Sequence, residues 1–187
     1  MRILSKPGYL PRHNQGFTLL EVLVAMVILA IGLLGVASLQ LTSFQSSYKA
    51  HLRAVANYEA AAIIDIMRTN LDEVEKGTAS KFHGPVTGTA SCTGYSSVGC
   101  NSSDMAVYEI NQWLTRLGNK LPSGRASIEI SKLAETVAGE NTWAFIANVT
   151  VYWDEDKTGA TGLGCDPDNA ADLSCLNVVA RVFEEFN

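Results

Sequence analysis

Glu21 is the side chain whose surroundings demand a chemical explanation. It is the only formal charge in the stretch from Gly16 to Leu41, GFTLLEVLVAMVILAIGLLGVASLQL. As a helix this stretch is long enough to cross the roughly 30 Å hydrocarbon core of a bilayer. A carboxylate at that depth costs about 3 kcal/mol unless it is paired, protonated or close to the interface. Glu21 follows Phe17 by four residues. A cut between Gly16 and Phe17 would expose an α-amino group close to that carboxylate. In a helical assembly, Glu21 of one subunit could then neutralise the Phe17 amine of a neighbour, turning two costly buried charges into one complementary contact. The plainer reading is an interfacial Glu on a simple anchor, snorkelling towards the headgroups.

The second set of chemistry-bearing residues is the cysteines. All four, Cys92, Cys100, Cys165 and Cys175, lie beyond the apolar stretch. An even count in one domain outside the cytosol points to disulfides, and no pair has the Cys-x-x-Cys spacing of a zinc or redox motif. Three pairings are possible. Cys92–Cys100 and Cys165–Cys175 are expected, because each closes a short loop rich in Gly, Ser, Asn or Asp.

Other constellations are weak. His13, His51 and His83 are dispersed. No serine-nucleophile motif or glycine-rich phosphate loop occurs in a strand–helix context. Asp154, Glu155 and Asp156, with Asp166, Asp168 and Asp172, form an acidic region that could offer oxygen ligands to calcium. The EF-hand pattern is absent, and a solvated acidic loop is the expected state. We expect no cofactor and no resident metal. The chain reads as a substrate of processing enzymes and not as an enzyme. Its net charge of −5 argues against nucleic-acid binding through a broad basic face.

Several elements must position these residues. Residues 1–16 carry Arg2, Lys6 and Arg12 with no acid, and Pro7, Gly8 and Pro11 forbid a continuous helix. They read as a cytoplasmic basic leader under the positive-inside rule. A secretory signal peptide is disfavoured by the length of the apolar run, and it leaves Glu21 unexplained. Residues 17–41 form the transmembrane segment. Residues 42–76 contain neither Pro nor Gly and space Leu52, Val55, Ala62, Ile63, Ile66 and Met67 approximately as a helix does. One helix is expected from about Phe17 to about Glu75, with Gly77 as its stop. Gly32 and Gly35 are its weak points, where it could bend or unwind in a filament, or pack closely against another helix.

Residues 77–187 form the remaining domain. Residues 77–103 read as a surface loop with one short strand. Asp104 to Leu117 is an amphipathic helix with Val107, Ile110, Trp113, Leu114 and Leu117 on one face, capped by Ser103 or Asp104 and ended by Gly118. Three strands follow, over Arg125–Ser131, Trp143–Trp153 and Leu176–Phe186. Their joins are too short for parallel crossovers, so the sheet is antiparallel.

Gly16-Phe17-Thr18-Leu19-Leu20-Glu21, opening an uninterrupted apolar helix after a short basic leader, resembles the class III signal of type IV prepilins and of type II secretion pseudopilins. The resemblance implies cleavage after Gly16 by a membrane prepilin peptidase, N-methylation of Phe17, and a docking role for Glu21. Its implied fold is the α+β ladle of type IV pilins: a long N-terminal helix, transmembrane in its first half, packed on a small antiparallel sheet domain. Ala30-Ile31-Gly32-Leu33-Leu34-Gly35, Arg68-Thr69-Asn70, Leu121-Pro122-Ser123-Gly124 and Val149-Thr150-Val151-Tyr152-Trp153 are similar to features of PilV-type minor pilins. That likeness implies a low-abundance subunit that helps prime pilus assembly and sits at or near the tip. Implied partners are the major pilin, other minor pilins, the prepilin peptidase/methyltransferase and a tip adhesin. The implied location is the bacterial inner membrane, single-pass with a cytoplasmic N-terminus, and then the pilus at the cell surface. The rivals are a minor pseudopilin and a membrane-tethered binding module that does not polymerise. The Cys92–Cys100 loop departs from the common pattern.

Overall fold

A computed structural model describes residues 16–85, 92, 99–137 and 140–185. The expected leader, apart from Gly16, lies outside the described residues. The chain divides into two compact units, Met1–Ser46 and Ser47–Asn187. In the first, helix α1 (Leu19–Thr69) begins, and every side chain over residues 16–46 is exposed. The helix is unbroken across Gly32 and Gly35, so the isolated chain does not unwind there.

In the second unit, α1 buries Leu52, Ala56, Glu59, Ala60, Ile63, Ile64 and Met67, a stripe recurring every three or four residues. These apolar side chains share one core with Ile110, Trp113 and Leu117 of α3 (Ser102–Lys120) and with Ile128, Ile130, Val149, Val151 and Trp153 of the sheet. The strands are β1 (Gly84–Pro85), β2 (Arg125–Val137), β3 (Glu140–Trp153) and β4 (Ser174–Glu185). They pair antiparallel in chain order, β1-β2-β3-β4. Register follows the alternation in sequence: Ile128 stands opposite Val149 and Ile130 opposite Ala147. On β4, Val182 is buried while Val179, an odd number of residues away, is exposed. A long apolar helix followed by a small antiparallel sheet is the α+β fold that the resemblance implies.

Several boundaries differ from the sequence reading. The long helix stops at Thr69, before Glu75, and a separate turn of helix, α2 (Leu71–Val74), follows. Asn70 breaks the run at φ −130°, ψ 60°, and its side-chain amide donates to the Ser102 carbonyl at 2.8 Å. This tertiary bond holds Asn70 out of the helix, where Asn is in any case a weak helix former. Gly77 still takes the left-handed conformation, φ 59°, but it follows α2 and opens a short 3₁₀ turn (Gly77–Ala79).

Helix α3 begins earlier than expected because Asn101, not Ser103 or Asp104, is its cap. The Asn101 side-chain oxygen accepts from the Asp104 N–H at 2.8 Å, and its amide donates back to the Asp104 carboxylate. The helix also runs through Gly118, which does not end it. Leu121 is buried, and its N–H bonds the Leu117 carbonyl at 2.8 Å, which carries the last turn onward. The stop is the turn after it, where Gly124 is required: a Cβ there would lie 2.9 Å from the Leu117 oxygen. Strands β2 and β3 extend past their expected ends, pairing as far as Val137 with Glu140. Strand β4 starts two residues before the expected Leu176.

Candidate processing and docking site

The first candidate site is the opening of α1. Gly16, Phe17 and Thr18 precede the helix, and Leu19 is its first residue. Thr18 caps it: its carbonyl accepts from the N–H groups of Glu21 and Val22, and its hydroxyl accepts from the Glu21 N–H at 3.3 Å. Glu21 therefore sits in the first turn, where the positive end of the helix dipole favours an acid. Phe17, Glu21, Val22, Ala25, Met26 and Leu29 line one shallow hollow, so Phe17 and Glu21 share a face. Phe17 is exposed. Among the described residues the Glu21 carboxylate has no hydrogen-bond or ion-pair partner. The geometry offers an acid without a partner among the described residues and, were the chain cut before Phe17, an amine near it.

The cysteines are joined as Cys92–Cys100, Cα atoms 6.1 Å apart, and Cys165–Cys175, 5.6 Å apart. The second pair packs with Tyr152, Ala160 and Leu173 in a small separate apolar cluster. Most of the first cysteine loop lies outside the described residues.

The acidic region departs in part from a solvated loop. Asp156, Asp166 and Asp168 are exposed, but Asp154 is buried. Its carboxylate accepts from the N–H groups of Thr158 at 3.0 Å and Gly159 at 2.8 Å. Burial would raise its pKa, yet these bonds outweigh burial and hold it below the ordinary value. The Glu155 side chain is also largely covered, against Lys49 at 3.7 Å and Arg53 at 3.8 Å. Lys49 reaches Asp156 at 3.0 Å as well, and its pKa is raised, first by that contact and then by the charge of Glu155. These residues edge a cleft of about 470 Å³ beside the Cys165–Cys175 bond. Among the described residues no group of three or more His, Cys, Asp or Glu side chains is placed to hold a metal.

Sequence reasoning missed two buried carboxylates. Glu59 is 1% exposed, and Lys120 donates to its Oε1 at 2.6 Å. The carbonyl of the same residue accepts the Trp113 indole N–H at 2.9 Å, so Trp113 is a core residue with a satisfied polar edge. Glu73 is wholly buried between Lys76, the backbone N–H of Lys81 at 2.6 Å and the Ser103 hydroxyl at 2.7 Å. The signal for Glu59 was its place on the α1 stripe, three residues after Ala56 and four before Ile63. Glu73 had no comparable signal.

The model of the prokaryotic N-terminal methylation motif matches residues 11–37, which span the Gly16–Phe17 bond and Glu21. No curated protein and no solved structure matches the chain. The helix that carries the motif is long and apolar enough to cross a membrane. The motif implies processing by a prepilin peptidase and assembly with other pilins, and with the helix it fits anchoring in the inner membrane before assembly. Motif and α+β fold together support a type IV pilin-like or pseudopilin-like protein and point to a structural subunit.

Proposed function

We propose that this chain is a minor pilin of a type IV pilus, of the PilV type, that helps prime assembly and sits at or near the tip. Prepilin peptidase removes residues 1–16, and Phe17 becomes the N-methylated first residue. Residues 17–41 then hold the subunit in the inner membrane until it enters the filament. The domain beyond residue 77, with the second part of α1, lies on the outer side. Its partners are the major pilin, the other minor pilins and a tip adhesin.

The observation that carries this reading is the Glu21 carboxylate, unpartnered among the described residues, in one hollow with Phe17 and within a run of exposed apolar side chains. An acid so placed is expensive in lipid until it meets a cation. The Phe17 amine of a neighbouring subunit is the cation that processing itself creates. Docking then removes two desolvation costs at once, and it favours parallel, staggered subunits in which one residue 17 lies beside another residue 21.

Glu21→Ala tests the reading. We expect unchanged membrane insertion, unchanged cleavage, and loss of the subunit from sheared filaments by at least ten-fold, measured by quantitative mass spectrometry against the major pilin. N-terminal mass spectrometry of the mature chain checks the cut after Gly16 and the added methyl group on Phe17. Wild-type incorporation of Glu21→Ala would refute the docking role. Recovery of the chain in a secretion pseudopilus, and not in pili, would reassign the filament it serves.

A further inference from the structure

The opening of α1 holds a second residue that the processing reading does not use. Extending the helix by one residue towards the leader would require the Glu21 N–H to bond the Phe17 carbonyl, four positions back. That N–H is already taken by Thr18, by its carbonyl at 3.1 Å and its hydroxyl at 3.3 Å. Thr18 also receives the Val22 N–H at 3.3 Å, so its carbonyl is the first one drawn into the helix. The Gly16–Phe17 bond consequently lies outside the helix, immediately before the cap. A peptide bond inside a helix must be opened locally before a protease can act on it. A bond just ahead of a stable cap needs no such opening. Gly16 assists, since glycine is a poor helix former.

We propose that Thr18 is a positioning residue for leader removal: its hydroxyl sets the first turn of α1 so that the Gly16–Phe17 bond is presented unwound. This rests on the cleavage reading above. Thr18 touches no reacting atom. Its hydroxyl reinforces its carbonyl, at 3.3 Å beside 3.1 Å, in holding the one amide whose bond to Phe17 would carry the helix into the cleavage position. The same hydrogen bond ties the backbone of Glu21, the docking residue, to the cleavage boundary.

The discriminating pair of variants is Thr18→Val, which keeps shape and β-branching but removes the acceptor, and Thr18→Ser, which keeps the acceptor. Full-length chains in membranes are treated with prepilin peptidase, and the N-terminal mass is followed in time. Wild type and Thr18→Ser should be cut after Gly16 at similar rates. Thr18→Val should be cut about five-fold more slowly, the factor that loss of a typical cap implies. In detergent micelles, the backbone carbon shifts of labelled Phe17 should move towards helical values in Thr18→Val only. Equal cutting of Thr18→Val and wild type would overturn the role of Thr18 and leave the cleavage reading intact. Slower cutting with unchanged Phe17 shifts would overturn the boundary mechanism. A wild-type chain left uncut by active peptidase would overturn the cleavage reading itself.

Discussion

Leu19 is 80% exposed and Phe44 is 72% exposed, whereas Ile63 and Met67, on the same helix, are fully buried. The two stretches of α1 differ in what surrounds their apolar side chains. From residue 47 onward α1 has a sheet and a second helix to bury against, and polar residues fall between its apolar ones. From Leu19 to Leu39 the helix is apolar on nearly all sides, and among the described residues nothing covers it. A helix apolar all round must be buried by something. Lipid and neighbouring subunits are the surroundings that the pilin-like reading supplies. The contrast extends to acids. In the second unit, buried Glu59 and Glu73 are met by Lys120, Lys76 and Ser103 of the same chain. In the first, Glu21 meets no partner among the described residues, which is why its partner is sought in another molecule.

If this contrast is right, damage to the core should be felt by the folded domain and damage to the first stretch should not. Trp153 is fully buried, and its indole N–H has no hydrogen-bond partner among the described residues. Its contribution is therefore packing, and Trp153→Ala should cost about 4 kcal/mol in denaturant unfolding of the detergent-solubilised chain followed by circular dichroism. A cost below about 1 kcal/mol would mean that the sheet does not rest on this core.

Glu73 gives a smaller, pH-dependent test. Burial alone would raise its pKa, but hydrogen bonds from Lys76, the Lys81 amide and Ser103 prevail and lower it from the ordinary 4.5. A lowered folded pKa means that the stabilisation is complete above the unfolded value and fades as pH falls through the folded one. Wild type should accordingly lose stability on acidification below about pH 4.5. Glu73→Gln should cost about 2 kcal/mol at pH 7 and show a flatter acid limb, because it has no carboxylate to protonate. Equal acid limbs in the two proteins would show that Glu73 gains nothing from its partners.

The smallest effect sharpens the comparison most. Leu29→Ala removes as much apolar surface as many core truncations, but from an exposed position. It should leave the unfolding midpoint of the domain unchanged within about 0.5 kcal/mol. A shift comparable to that of Trp153→Ala would erase the distinction between the two stretches.

The elements that read correctly did so because a local period reports a local burial pattern. The apolar run from Gly16, the stripe through Leu52 and Met67, and the alternation of Ala126, Ile128 and Ile130 each carry their own signal. Of the boundaries that read wrongly, the end of α1 was set at a distance, whereas the start of α3 turned on which of several local residues made the cap. Arg68-Thr69-Asn70 lies within a run free of Pro and Gly, yet α1 ends there, where Asn70 reaches Ser102 and an Arg68 nitrogen reaches the Arg181 carbonyl at 3.2 Å. Asp154 looked like one more solvated acid, because the fold-back of Thr158 and Gly159 onto its carboxylate leaves no periodic trace.

By itself the sequence determined where the chain is apolar, where it turns, and that one acid stands in the wrong solvent. Those properties follow from residue type and from spacings of a few positions. Only the tertiary structure decided which charges are buried and with whom. Glu59 and Lys120 are 61 residues apart, and Glu73 and Ser103 are 30 apart. Contacts across such separations exist only once the core has brought the helices together, and no local pattern encodes them.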